Sequence, residues 1–404
     1  MLAFALSMAI FYPKSTSHLH SSMTPLVLVV LLIWINGVLE RQDRDRSARW
    51  IIALMVTYSM GMVILAKLIA RVASSSAATT LEHIVLLLPL SAAAGWILVA
   101  TGRIVQYLSW LLVVGTITVL PAMYEYLANA SLINPTLHAR NGQTRAIVGS
   151  DHPLVLGALF LALIPIAMYL AGRYRYLAGI WLYLGILTTG SNGPKLVGAV
   201  VLAVCFVPQL ARALLSRSGP LYAVCAGIAV YIFVGSNWFW TTQIKGTNTN
   251  DVSDQYRAAL YAVLPHLLGD RPLGYGLGGL PPDTFYAYTA TSGVFDIGSS
   301  IDSELVYGAT QFGYIAILVF LGVAAFGVRA IRRNHAIGLS SLSTTLVGLF
   351  LAIHSWNSLG AFWFLGFGSC AALVLGRDDW CEWTGLVPQP DQMGASQHVV
   401  ASVT

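Results

Sequence analysis

The sequence predicts an all-α integral membrane protein that crosses the bilayer about twelve times. Hydrophobic residues make up 56% of the 404 and charged residues only 10%, where soluble domains carry roughly 25% charged residues. Mean hydropathy is +0.71, and the shortage of charge runs along the whole chain instead of one block. The apolar runs also approach the ~20 residues that cross a hydrocarbon core, where a backbone without water must close its hydrogen bonds inside a helix.

In order, the expected spans fall at about 1–12, 24–39, 50–70, 82–101, 104–123, 153–172, 175–190, 196–215, 220–238, 304–328, 338–353 and 357–376. The opening MLAFALSMAIFYPK lacks a basic n-region and an A-x-A site, so it reads as a short first span before it reads as a signal peptide. Basic residues select the cytoplasmic side. Arg41, Arg44, Arg46 and Arg49 fill one gap, and counting spans from there puts four further basic gaps in the same phase. These carry Arg103, then Arg173 and Arg175, then Arg212 and Arg217, then Arg329, Arg332 and Arg333. Both termini are then cytoplasmic, with Lys67 and Arg71 as the exception.

Two gaps on the opposite, external side are long, at about 124–152 and 239–303. Loops beyond ~12–15 residues usually carry function or are disordered. The second lies between spans nine and ten and holds the segment SDQYRAALYAVLPHLLGD. Ser253 or Asp254 is the expected cap and Gly269 the expected end of a helix there, kinked at Pro265, with Tyr261, Leu264, Leu267 and Leu268 on one apolar side. The expected organisation is one polytopic unit over 1–376, with 239–303 as an external lid, followed by a loose cytoplasmic tail over 377–404.

Several classes drop out. A net charge of +5 without a basic face or stacking motif does not describe a nucleic-acid binder. Cys205, Cys225, Cys370 and Cys381 have no C-x-x-C spacing, so neither a zinc site nor a disulfide framework is expected. GYGLGG fits G-x-G-x-x-G through Gly274, Gly276 and Gly279, but it follows no strand and lies outside the cell. A tight turn after Pro272 explains it better. LTTGSNGPKLVG lacks the Lys-Ser/Thr spacing of a phosphate loop, and only its Lys195 remains as a phosphate contact.

If the external loops are functional, their charges are the place to look for chemistry; the alternative for any one basic residue there is a lipid-headgroup phosphate or a lone surface charge. Arg145, Lys195, Arg257 and Arg271 lie where basic residues are selected against, and guanidinium forks match phosphate oxygens. Asp151 and His152 stand just before a span that opens with Pro153, where Asp151 reads equally as a helix cap. His266 follows Arg257 by nine residues, which on a straight helix places them on opposite sides. Asp302 and Glu304 sit at the mouth of the tenth span. One reading makes Asp302 a cap and Glu304 a first-turn residue; the other gives them chemistry.

Arg145 with His152-Pro153-x-x-x-Gly157, Arg257 with GDRPLGYGLGG, and Asp302-Ser303 followed after nine residues by Gly313 together resemble, in this order, the O-antigen ligase and polymerase superfamily of bacterial envelope glycosyltransferases. The resemblance covers roughly 140–330. Ligases of that family carry His-[Asn/Ser/Gln]-x9-Gly-x-x-Gly, whereas this chain has Asp302 for the histidine and Ala316 for the last glycine. SNGPK also stands where a Ser-Arg pair is common. These departures favour a polymerase over a ligase.

The resemblance implies a metal-independent glycosyltransferase without cofactors, multi-pass in the bacterial inner (cytoplasmic) membrane. Its donor is a polyprenyl-pyrophosphate-linked oligosaccharide and its acceptor a glycan hydroxyl at the outer face, with membrane lipids and other polysaccharide-export proteins as further partners. Arg145 and Arg257 would neutralise the leaving pyrophosphate, helped by Lys195, Arg271, His152 and His266 as substrate-binding residues. Asp302 would be the general base, with Glu304 as alternative base or sugar partner. Polymerisation of exopolysaccharide, capsule or O-antigen units is the first expectation, ligation to a lipid core the second. A lipid-linked sugar flippase is the rival of another class.

Overall fold

The computed structural model describes residues 2–12, 83–132, 139–140, 143–150, 152–206, 251–277, 285–289, 293–296, 301–353 and 356–376, with isolated positions 32, 37, 60, 61, 279 and 280. Apart from those positions, the spans expected at 24–39, 50–70 and 220–238 lie outside the described residues. So do the basic gap at 40–49, Arg212, Arg217, Asp151 and the tail over 377–404.

Among the described residues the chain is helical: α1 (Leu2–Phe11), α2 (Leu88–Ala100, entered through a π turn at His83–Leu87), α3 (Ile104–Ala128), α4 (Pro153–Leu170), α5 (Arg175–Thr188), α6 (Asn192–Phe206), α7 (Asp251–Asp270), α8 (Glu304–Phe312), α9 (Tyr314–Ile331), α10 (His335–Val347) and α11 (Asn357–Leu375). The strands described form two small antiparallel hairpins, β1 (Ala139–Arg140) with β2 (Gln143–Thr144) and β3 (Tyr286–Thr289) with β4 (Gly293–Asp296). Among the described residues four helices, α3, α4, α9 and α11, are long and apolar enough to cross a membrane.

The centre is α4. It is apolar all round, as a helix enclosed by others must be, and every residue from Pro153 to Ala167 is buried. It packs on α5, α6 and α10, while α11 packs on α2. In contrast, only 28% of the apolar stretch of α9 is buried, and Leu318, Val319 and Leu321 are exposed, so α9 lies at the rim.

Short turns link α2 to α3, α4 to α5, α5 to α6 and α9 to α10, and the two ends of the bundle differ in chemistry. The connectors carrying Arg103, Arg173 with Arg175, and Arg329 with Arg332 and Arg333 share one end, in the phase expected from sequence. A small cavity lined by Tyr107, Ile166, Ile337, Ser340 and Trp363 lies towards that end. The other end holds the loops after α3 and α5 and residues 348–356.

Two expectations change. The helix in the lid begins at Asp251, so Ser253 and Asp254 lie in its first turn instead of capping it, and it runs through Pro265 to Asp270. The run 304–328 is not one span. It breaks at Gly313 (φ 58°), and α8 folds back against α9. Residues 304 and 320 of a continuous helix would be ~24 Å apart. Here Glu304 Cβ and the Phe320 ring both lie about 3 Å from the Cβ position of Gly348, at 3.1 and 2.9 Å.

The glycine-rich turn after α7 caps the apex of this helical hairpin. Tyr275 N–H donates to Thr310 O (2.7 Å), Gly276 N–H to Gln311 O (3.0 Å) and Tyr314 N–H to Pro272 O (2.9 Å). A Cβ on Gly274 (φ 81°) would fall 2.5 Å from the Gln311 carbonyl. Two motifs separate in sequence thus form one backbone joint, in which Gly274 has a structural role.

Candidate functional site

Arg145 is the best-defined cation at the loop-bearing end. Its Nε donates to Thr189 O and its Nη2 to Ser191 Oγ, both at 2.9 Å. These two bonds fix the guanidinium plane against the turn between α5 and α6. Gly190 (φ 63°) lets that turn pass over the side chain, its Cβ position lying 3.2 Å from Arg145 Cγ. Ala146 N–H donates to Thr188 O at 3.1 Å and ties the backbone to the same turn.

Ser191 directly precedes α6, and Lys195, half-buried, stands in its first turn with its N–H on Ser191 O. The N-terminal end of α6 carries partial positive charge from its unpaired N–H groups. A guanidinium and the N-terminus of a helix whose first turn carries Lys195 therefore occur together, a combination that suits a phosphate oxygen. The resemblance assigned Arg145 and Lys195 to one phosphate site; in the structure Ser191 accepts from both segments, from Arg145 Nη2 at its Oγ and from Lys195 N–H at its carbonyl.

His152 caps α4. Its Nδ1 accepts the Leu154 N–H at 3.2 Å, and its ring stacks on Trp356 with centroids 5.3 Å apart at 30°. An accepting Nδ1 leaves the proton of the neutral ring on Nε2. The cap expected from Asp151 is thus supplied by His152, because Asp151 is one residue too early for the helix that starts at Pro153.

A similar shift applies to α8. Its cap is Ser303, whose Oγ accepts from Val306 N–H at 3.4 Å, and not Asp302. Asp302 lies one residue outside the helix and is half-buried, so its carboxylate is not engaged as that cap. Glu304 is a first-turn residue and is 7% exposed. Its N–H donates to Gly348 O (2.6 Å) and Leu351 O (3.0 Å).

The lid helix is fastened to the same place. Tyr261 Oη donates to Leu349 O at 2.7 Å and lies 3.0 Å from Ser303 Oγ. Removing that hydroxyl leaves a buried serine and a carbonyl short of partners, which typically costs about 1–3 kcal/mol. Tyr261→Phe is therefore expected to lower the thermal midpoint of the purified protein by a few degrees in a melting experiment. An unchanged midpoint would show that α7 is not anchored through this residue.

Residues 348–353 and Trp356 connect these parts, and sequence reasoning missed them by placing 348–353 inside one span and 356 in the gap after it. Phe350 lies 2.8 Å from the Cβ position of Gly193 in α6, Trp356 covers His152, and the carbonyls of Gly348, Leu349 and Leu351 receive α8 and α7. The Arg145 side and the Asp302 side are joined through this connector.

His266 and Arg271 are exposed on the outer part of α7 and its following turn, away from the Tyr261 contact. The Arg271 guanidinium lies 5.9 Å from the Tyr275 ring, and Phe285 meets that ring edge-on at 5.9 Å. Burial, then Asp270, push the Tyr275 phenol above its ordinary value, with Arg271 opposing. The side chain of Arg257 lies outside the described residues, while its backbone belongs to α7. Among the described residues no three His, Cys, Asp or Glu side chains gather as a metal site would require.

No protein-family model matches this chain, and no curated protein matches it.

Proposed function

We propose that the protein is a membrane glycosyltransferase that polymerises polysaccharide repeat units from a polyprenyl-pyrophosphate donor. The observation that carries this reading is Arg145, fixed against the N-terminus of α6 beside Lys195 at the end of an apolar bundle. In this reading the chain crosses the bacterial inner membrane about twelve times with both termini in the cytoplasm. The loops over 124–152 and 239–303 then face outwards, where the donor is presented.

The chemistry needs two opposed groups. An acceptor hydroxyl attacks the anomeric carbon of the donor sugar, forming a C–O bond as the bond to pyrophosphate breaks and its electrons leave with the phosphate. Arg145 and Lys195, with Arg257 from the lid, neutralise that departing charge. The hydroxyl proton passes to Asp302, which stands outside its helix and is not used as the cap. Glu304, buried in the first turn, suits orientation of the α8 end more than proton transfer.

The break between α8 and α9 favours a second reading, because discontinuous helices are also a device of transporters. A lipid-linked sugar flippase is that alternative. The test is to delete the gene in its host and complement with wild type and Asp302→Asn, confirming that each reaches the membrane. Polymerase chemistry predicts long surface polysaccharide with wild type and single repeat units with the variant. Polymer retained on its lipid carrier in the deletion would make the protein a ligase to a lipid core. Repeat units trapped on the cytoplasmic side would make it a flippase.

A further inference from the structure

We infer that Glu125 is the positioning residue for Arg145, an inference that rests on the phosphate role proposed for that arginine. Glu125 lies in the last turn of α3 and is 1% exposed. An acid there opposes the helix dipole, so helix stability does not explain it. Its partners do. Oε2 accepts the N–H groups of Ile147 and Val148, both at 2.8 Å, and Oε1 accepts that of Leu132 at 3.0 Å.

Two successive N–H groups converge on one oxygen only if the backbone turns sharply, and Val148 does so at φ 53°. A β-branched residue is an outlier in that region, and such strain persists only where its surroundings impose it. One turn later on α3, Asn129 holds the preceding part of the loop, its Oδ1 accepting from Thr144 N–H at 2.8 Å and from the Thr144 hydroxyl. Arg145 is thus fixed on both sides from the end of α3: Thr144 before it by Asn129, and Ile147 and Val148 after it by Glu125. The guanidinium then reaches Thr189 and Ser191.

Glutamine at 125 keeps the shape but turns one acceptor into a donor facing N–H donors. The test uses the full chain in lipid nanodiscs, with radiolabelled inorganic pyrophosphate as probe and amide hydrogen exchange as a second readout. Glu125→Gln is expected to weaken pyrophosphate binding about tenfold, the effect of one lost charge-assisted contact at Arg145. In an Arg145→Ala background it is expected to add nothing, since its effect passes through that arginine. Exchange at 145–148 should accelerate while α4 and α11 stay protected.

A full additive loss in the Arg145→Ala background, or unchanged exchange at 145–148, overturns the inference. If wild type fails to bind pyrophosphate, the proposed function loses its carrying observation. The exchange measurement then decides alone whether Glu125 holds the loop. Should Glu125→Gln not fold, Asn129→Ala removes the neighbouring anchor and is expected to give the same non-additive loss, with an additive loss overturning the inference.

Discussion

Gly313→Ala is expected to leave almost no folded protein in the membrane. The residue sits at φ 58°, where a side chain is strained, and its Cβ position overlaps the Pro272 carbonyl. That carbonyl accepts the Tyr314 N–H, and Gly274 N–H lies 2.8 Å from the same Cβ position. Nothing there is the flexible end of a side chain, so backbone must move, and the joint between lid turn and helical hairpin opens. A loss above about 4 kcal/mol is expected, against a total stability of ~5–15 kcal/mol for ordinary domains. Gly322→Ala in α9 is the matched control, because its Cβ would meet nothing within 4 Å. Fluorescence-detected gel filtration of both variants measures this. Equal yields of monodisperse protein would mean that the apex is not built as described.

Arg145→Lys is expected to reduce polysaccharide synthesis by about 10²–10³-fold while leaving the protein folded. Lysine keeps the charge but presents a single point donor on a flexible stem, so it cannot donate to Thr189 O and Ser191 Oγ as a planar fork does. Arg145→Ala should be no better. Chain length on a gel, with the amount of protein in the membrane measured alongside, checks both. Wild-type chains from the lysine variant would show that fixed guanidinium geometry is not what the site uses, and would move the phosphate-binding role elsewhere.

The helices that hydropathy finds well are those whose fate depends on apolar length alone. The bounds of α3, α4 and α11 agree closely with the runs read from sequence, and the arginine-bearing connectors fall at one end as the spacing of apolar runs implied. What was not legible depends on partners far along the chain. The run from Glu304 to Ile331 stays apolar through its break, and Gly313 alone does not reveal that Pro272 will occupy the space where a side chain would stand. The stretch 348–353 reads as span because it is apolar, although the carbonyls of Gly348, Leu349 and Leu351 leave the helix ladder to receive Glu304 and Tyr261. Caps were misplaced by one residue at both His152 and Ser303, within the ordinary uncertainty of helix ends. That single residue nevertheless separates a carboxylate that caps from one that does not. Glu125 was hidden in the same way: from sequence it falls in the external gap after a span ending at 123, and only the continuation of α3 to Ala128 makes it an acid in a last turn, where the dipole disfavours it.

The connector over 348–356 also constrains how this protein can vary over evolutionary time. Groups that touch through shared partners do not contribute independently to stability. Tyr261, Gly193, His152 and Glu304 come from four stretches of the chain, yet each meets this one segment. A change at any of them alters the context in which the others are judged by selection. Lineages that remodel the lid must therefore carry matching substitutions around α4, α6 and the end of α10, and chimaeras that exchange the lid alone will inherit only half of the joint.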